Sequence, residues 1–198
     1  MVYPLRSGLP TLLPQFDIPT LLNGTVTLTP PAELVVLEPR ANATATATIG
    51  GTVTAGTTVS LVLTQNQLPN GAVTYTYDVL SGDTLASIAE GLASLVAADP
   101  VAQSFGIYAT TDEAVLTVNW PGPAGNFAVL TGSASADETV TTNPANGVLS
   151  GGTGPIIPTQ NFEVQWAGST LVFWQGMPQQ VSHQILSTMI AQGLGNFV

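Results

Sequence analysis

Residues 73–98, VTYTYDVLSGDTLASIAEGLASLVAA, change from a two-residue to a helical repeat of apolar side chains. The first part alternates apolar and polar side chains, as a strand with one buried face does. Its apolar members are Val73, Tyr75, Tyr77 and Val79. The apolar residues of 84–98 recur at helical spacing, which predicts a helix there. Asp83 is its expected N-cap, and Pro100 is expected to end it.

Strands are also predicted before this stretch. Residues 43–48 alternate Ala and Thr strictly, and residues 57–63 place Val59, Leu61 and Leu63 on one face. The strand at 57–63 is followed by Pro69-Asn70-Gly71, and Asn-Gly accepts the positive φ that tight hairpins require. We therefore predict that the strands at 57–63 and 73–79 form a hairpin.

Further strands are predicted after the helix. Residues 107–111 and 114–119 form a predicted hairpin around Asp112-Glu113, and weaker strand patterns follow at 127–132 and 138–142. The order is three strands, one helix, then three or four strands. This order predicts an α+β fold that is mostly β, an antiparallel sheet or sandwich with one covering helix, over residues 41–146.

The first 40 residues differ in composition from this module. They hold seven prolines mixed with apolar clusters, and proline disfavours both a continuous helix and a central strand. Because disordered tails are poor in apolar residues, we expect an extended arm that lies on a surface. Fully extended, it would reach roughly 120 Å. The alternative is that the arm folds back over its own domain.

A Gly- and Pro-rich linker is predicted at 147–159, followed by a ββα unit at 160–198. The strands are expected at 162–166 and 171–175 and the helix at 182–192. Such a unit is too small to be stable alone, so it must pack on the module or on another chain. Its hairpin carries four aromatic residues, and we expect burial on both of its faces. They are Phe162, Trp166, Phe173 and Trp174.

Charge and cysteine content exclude several classes of function. The chain has 12 acidic residues against two basic ones, Arg6 and Arg40, and its net charge is −10. Nucleic-acid binding and a basic membrane-surface helix both need more cations, and no apolar run reaches 18 residues. A phosphate-binding P-loop lacks its lysine, and the absence of cysteine removes disulfides and thiolate metal sites.

The sequence shows no catalytic constellation. His183 is the single histidine, no Gly-x-Ser-x-Gly motif is present, and we expect His183 to be a partly exposed helix residue. The adjacent acidic pairs Asp112-Glu113 and Asp137-Glu138 are expected in solvated turns, with calcium ligation as the alternative. We predict no enzyme activity, no metal and no cofactor. A hydrolase with two converging carboxylates stays as another alternative.

Residues 77–89, YDVLSGDTLASIA, resemble the opening of LysM glycan-binding modules. The second half of that module does not follow, because residues 90–99 continue the first helix. The local physics is general: a strand ends, Gly turns the chain, and an acidic residue caps a helix. Glycan binding through this turn, or through exposed Trp120 and Tyr108, is therefore an alternative function.

A longer part of the chain, residues 49–142, resembles a β-rich module of bacteriophage virion proteins, including a domain inserted in Mu-like contractile tail sheaths. The segments that carry the resemblance are GTVTAGTTVSL at 51–61, YTYDVLSGDTLASIAEGLA at 75–93, GIYAT at 106–110 and PAGN at 123–126. Residues 171–181, LVFWQGMPQQV, are similar to the ends of small phage structural proteins. The chain is too short for a sheath, so the resemblance implies an accessory virion component.

We therefore expect a non-enzymatic structural protein of the virion, with capsid decoration (cement) ahead of a neck, tail or fibre role. Its expected partners are the major capsid protein or other virion proteins and further copies of itself, with no nucleic acid and no membrane. The arm and the ββα unit are predicted to make these contacts. The predicted anchors are Leu12, Leu13, Phe16, Ile18, Trp166, Phe173 and Trp174. The alternative for each anchor is packing within its own chain.

Overall fold

The structure, a computed structural model, describes residues 15–16, 28–29, 39–194 and 197. Its strands are β1 Gln15–Phe16, β2 Leu28–Thr29, β3 Asn42–Gly51, β4 Thr58–Thr64, β5 Ala72–Asp78, β6 Tyr108–Asp112, β7 Val115–Pro121, β8 Val129–Ala134, β9 Glu138–Asn143, β10 Phe162–Trp166 and β11 Ser169–Phe173. Its α-helices are α1 Leu85–Ala98, α2 Pro100–Ser104 and α3 His183–Ala191. Single-turn 3-10 helices lie at Pro69–Gly71 and Pro123–Phe127.

Two antiparallel sheets form the body of the module. One has the strand order β6-β7-β3-β9 and the other the order β5-β4-β8. Strands β8 and β9 are consecutive in the chain and belong to different sheets, so their connection joins the two sheets along one side. The mostly β, antiparallel α+β fold predicted from the sequence is confirmed.

Side-chain alternation explains which faces are buried. On β3 the alanines and Ile49 point into the core while the threonines between them are more exposed, as the strict Ala/Thr repeat predicts. Val59, Leu61 and Leu63 of β4 lie in the same core, each 1% exposed or less. Small side chains on β3 therefore allow large aliphatic ones on β4 to fill the interior.

Helix α1 contacts strands of both sheets, including β5 of one and β6 of the other. It therefore covers the side of the module opposite the β8–β9 connection. Ile88, Leu92 and Val96 are its buried large residues. They recur at the spacing of one helix face, so the sequence periodicity predicted both the helix and its buried side.

The ends of α1 differ from the sequence prediction. The N-cap is Thr84, whose side chain accepts a hydrogen bond from the backbone N–H of Ser87, while Ser87 bonds back to the N–H of Thr84. Asp83 was predicted in that position and instead stabilises the preceding turn. Pro100 follows the end of α1 and also begins α2, which Asp99 caps. Proline is favoured in the first turn of a helix, because the N–H it lacks has no partner there.

We expect the substitution Gly132→Ala to destabilise the protein by about 1–3 kcal/mol, although alanine normally favours a strand over glycine. A Cβ at Gly132 on β8 would overlap the side chain of Val140 on β9, which is stiff because it is branched at Cβ. Urea unfolding measures the loss. Adding Val140→Ala should recover most of this loss. If the losses of the two single variants simply added in the double variant, the predicted overlap between the two side chains would be contradicted.

The segment predicted as a linker, 147–159, packs closely on the module. Ser150 pairs with Thr44, Val148 pairs with Val129, and Leu149 and Ile156 are fully buried. Glycines allow this close approach, because their backbone lies where a side chain would collide with neighbouring main chain. The segment that joins the ββα unit to the module is therefore ordered and packed rather than a free linker.

Part of the predicted arm is described. Strands β1 and β2 pair antiparallel, with Gln15 opposite Thr29 and Phe16 opposite Leu28. The two described strands of the arm therefore lie side by side and run in opposite directions. Residues 39–41 are fixed to the module, since Ala41 pairs with Thr153 and the Thr153 hydroxyl donates to the Pro39 carbonyl.

Candidate functional site

The ββα unit contributes most of a second hydrophobic core. The hairpin of β10 and β11 packs its Val164 and Phe173 face against α3 residues Leu186 and Met189. Ile156 and Ala124 of the preceding chain belong to the same core. The unit therefore packs on the module, as its small size requires.

Within its own chain the hairpin is buried on one face. Phe162 lies opposite Phe173, and their rings stack with centroids 4.7 Å apart. The other face carries Glu163, Gln165 and Thr170, which are exposed. The strand alternation places the aromatic side chains of both strands on the same side, because they occupy matched register positions.

Trp174 lies beyond the end of β11 and is 44% exposed. It begins the Trp174 turn, which we define as residues 174–178. The turn is fixed at three backbone N–H groups: Gln175 donates to Asn161 Oδ1, Gly176 to the Pro158 carbonyl, and Met177 to the Trp174 carbonyl. Met177 is 37% exposed. A large aromatic and a methionine are thus presented to solvent on a turn whose backbone is already ordered.

The predicted anchors fall into three groups. Leu12, Leu13 and Ile18 lie outside the described residues, and for Phe16 only the backbone of β1 is described. Trp166 is half-buried on the core side of the hairpin tip. Phe173 is 2% exposed and belongs to the core of its own chain. Among the described anchors, only Trp174 is exposed. The sequence analysis did not predict the exposed Met177 of the same turn, because an isolated methionine carries no sequence signal.

The LysM-like segment is held by hydrogen bonds within the chain. One Asp83 carboxylate oxygen accepts from the Leu80 N–H at 2.7 Å and the Tyr77 hydroxyl at 3.1 Å, and the other accepts from the Ser87 hydroxyl at 2.8 Å. The Leu80 and Ser87 donors lower the pKa of Asp83. These contacts explain the Gly-Asp-Thr sequence by the local requirements of a strand-to-helix turn.

The two aromatic residues considered for glycan binding lie in different surroundings. Trp120 is fully buried against Phe105, with ring centroids 5.6 Å apart, so its predicted exposure is wrong. It lies near the end of β7, opposite Ala43 of β3, and Gly125 of the 3-10 turn at 123–127 lies directly against it. Tyr108 is 43% exposed, and its hydroxyl accepts a hydrogen bond from Asn42.

The two acidic pairs also differ. Asp112 and Glu113 are exposed in the β6–β7 turn, as predicted. Glu138 is only 3% exposed, so the prediction of a solvated turn is wrong there. Its Oε1 accepts from the Thr54 N–H at 2.6 Å and from the Thr57 hydroxyl at 3.1 Å, linking β9 to the β3–β4 loop. Oε2 is buried without a hydrogen-bond partner among the described residues.

The Thr54 hydrogen bond lowers the pKa of Glu138. The folded protein therefore binds this proton more weakly than the unfolded chain, whose value is about 4.3. The resulting stabilisation is complete above the unfolded pKa and is lost as the pH falls through the folded one.

We expect Glu138→Gln to lower the Tm near neutral pH and to have a progressively smaller effect in acid. Thermal unfolding between neutral and acidic pH measures this, with Glu163→Gln as the exposed control. If Glu138→Gln lowered the Tm as much in acid as at neutral pH, the stabilising role of the ionised Glu138 carboxylate would be contradicted.

The described residues offer few further groups that could bind a ligand or a metal ion. His183 is exposed at the start of α3 and stacks on Phe127 at 5.0 Å, as a partly exposed helix residue should. Among the described residues, no group of three or more His, Cys, Asp or Glu side chains is placed to hold a metal ion. No helix in that part of the chain combines the length and apolar character that crossing a bilayer requires.

Shallow clefts of about 330, 370 and 360 Å³ lie on the module. The first lies between Gln67, Phe105 and Thr159, and the other two flank α1. Asp99 is the carboxylate in the second cleft and Glu90 the one in the third. None of these three clefts therefore brings together the pair of carboxylates that a glycosidase uses.

Comparison with known proteins gives no relative. No protein-family model, no curated protein and no solved structure matches this chain.

Proposed function

We propose that this chain is a non-enzymatic structural protein of a bacteriophage virion that decorates the capsid. In this proposal the arm and the ββα unit bind the major capsid protein or another virion protein, while the acidic module faces outward. The resemblance of residues 49–142 to phage virion modules supports the class of protein. It covers β4 to β9 and α1, but only the last three residues of β3.

The exposed Trp174 turn is the observation that carries the binding role. Tryptophan is enriched among the residues that dominate binding energy, and an ordered backbone reduces the entropy lost on association. Trp174 meets both conditions, since it is 44% exposed and its turn is tied to Pro158 and Asn161. Phe173 next to it fixes the strand end in the second core.

Immunogold electron microscopy of purified virions, with an antibody against the whole chain, tests the proposal. Gold over the head supports capsid decoration. Gold on the neck, tail or fibres would overturn capsid decoration and indicate a neck, tail or fibre component instead. Virions without label would overturn the proposal of a virion protein.

A matched pair of variants tests the surface. Trp174→Ser should abolish binding of the purified protein to particles that lack it, whereas Tyr108→Ser should not. The two side chains are equally exposed, at 44% and 43%, but Tyr108 lies on β6, away from the ββα unit. Equal loss in both variants would contradict a role for the Trp174 turn.

A further inference from the structure

The sequence contains three Asn-Gly pairs, at 23–24, 70–71 and 146–147. An asparagine that precedes glycine loses its side-chain amide readily, because glycine has no side chain to hinder attack by its own backbone nitrogen. The structure describes the pairs at 70–71 and 146–147. These two pairs share the same chemistry, so any difference in their reactivity in the folded protein comes from their surroundings.

Asn70 lies in the connection between β4 and β5 and is exposed. Its backbone is in the left-handed region, with φ of 55° and ψ of 18°. No described residue makes a hydrogen bond to its side chain. A Cβ placed on Gly71 would meet nothing within 4 Å, so the space beside this peptide is open. The side-chain amide of Asn70 is therefore accessible to water and free to turn towards the backbone.

One hydrogen bond restrains the backbone nitrogen that would react at this pair. The Gly71 N–H donates to the Leu68 carbonyl at 2.9 Å. The Gln65 N–H donates to the Gly71 carbonyl, and the regular pairing of β4 with β5 begins at Thr64 and Ala72. An opening confined to the 3-10 turn breaks only the first of these bonds. Local openings of this kind cost much less free energy than global unfolding.

The pair at 146–147 is held at several points. The Asn146 side-chain oxygen accepts a hydrogen bond from the Val148 N–H at 3.2 Å. Gly147 is buried, its N–H donates to the Pro144 carbonyl at 2.7 Å, and its carbonyl accepts from the Leu130 N–H at 2.8 Å. Rotation of this peptide therefore requires the segment to leave β8, which is a larger and rarer opening.

We propose that Asn70 is a site of spontaneous deamidation and isomerisation in the folded protein, and that the fold protects Asn146. The Gly71 backbone nitrogen loses its proton and attacks Cγ of Asn70. The new C–N bond forms as the bond to the side-chain nitrogen breaks, and that nitrogen leaves as ammonia. Water then opens the five-membered imide at either carbonyl, which gives aspartate or isoaspartate without any oxidant.

The modified loop joins the two hydrophobic cores. Residues 65–71 carry no charge, so the product introduces a negative one. The Gln65 Nε2 donates to the Ala124 carbonyl at 2.9 Å, and the Asn66 Nδ2 donates to the Ala191 carbonyl at the end of α3 at 3.2 Å. Isoaspartate also lengthens the main chain by one carbon. The reaction therefore changes charge and backbone length where the β4–β5 connection meets the ββα unit.

Peptide mass spectrometry of the aged protein tests the proposal. The folded full chain is incubated at mildly alkaline pH and then digested with pepsin in acid, where the reaction is slow. Deamidation raises the mass of a peptide by about one dalton. We expect Asn70 to convert at least about tenfold faster than Asn146, with isoaspartate among the products. Equal conversion of the two residues, or faster conversion of Asn146, overturns the proposal.

The chain unfolded in guanidinium is the matched control, incubated at the same pH. Both pairs should then convert at similar rates, because the hydrogen bonds that distinguish them are gone. If Asn146 also stays slow in the unfolded chain, its protection comes from the local sequence and the role of the fold is overturned. The proposal is also overturned if Asn70 stays intact in the folded protein over a time in which the unfolded chain converts.

Discussion

We expect Phe173→Ala to lower the free energy of unfolding by about 3–5 kcal/mol, and Trp174→Ala to change it by less than about 1 kcal/mol. Phe173 is 2% exposed and stacks on Phe162, so its removal leaves a cavity in the second core. Trp174 is 44% exposed on the adjacent turn and leaves no enclosed cavity. Urea unfolding followed by far-ultraviolet circular dichroism measures both values.

The same two variants separate stability from binding. If the Trp174 turn is the docking surface, Trp174→Ala should lose particle binding while keeping its unfolding free energy. Phe173→Ala should lose binding only in proportion to the fraction of unfolded protein. Similar unfolding losses in both variants would contradict the placement of Phe173 in the core and Trp174 on the surface.

Gly147→Ala should be the most damaging glycine-to-alanine change in the chain, with an expected loss of about 3 kcal/mol or more. Gly147 has φ of 69°, and a Cβ there would overlap the carbonyl oxygen of Leu130. That carbonyl belongs to the backbone of β8, whose Leu130 N–H donates to the Gly147 carbonyl. Neither partner is free to move without breaking the pairing of residues 147–149 with this strand.

Gly168→Ala is the control for this prediction. Gly168 also has a positive φ, 78°, but a Cβ there would meet nothing within 4 Å. Its cost should be about 1–2 kcal/mol, the ordinary cost of a left-handed backbone for alanine. Urea unfolding of both variants isolates the collision with Leu130, and equal losses would show that backbone conformation alone accounts for the Gly147 effect.

Sequence periodicity predicted the elements of this fold because their burial patterns are local. The Ala/Thr repeat of β3, the Asn-Gly turn before β5 and the apolar stripe of α1 all lie where the patterns indicated. Each pattern specifies which face of one element is apolar, and a strand or helix with one apolar face is buried on that face in almost any arrangement.

The candidate site was less predictable, since exposure depends on neighbours that are distant in sequence. Phe173 and Trp174 are adjacent aromatic residues, yet Phe173 is buried in the second core whereas Trp174 is 44% exposed. Trp120 and Glu138 were expected near the surface and are buried, because strand order and the β3–β4 loop enclose them. No pattern within a single segment carries this information.

The sequence by itself determined the fold class and the position of the Asn-Gly turn, because these follow from local composition and from periods of two and 3.6 residues. The tertiary structure alone decided that α1 contacts both sheets and that residues 147–159 pack on the module. The physical reason is that these features depend on which strands become neighbours. Local periodicity fixes the faces of a strand but leaves its partners open.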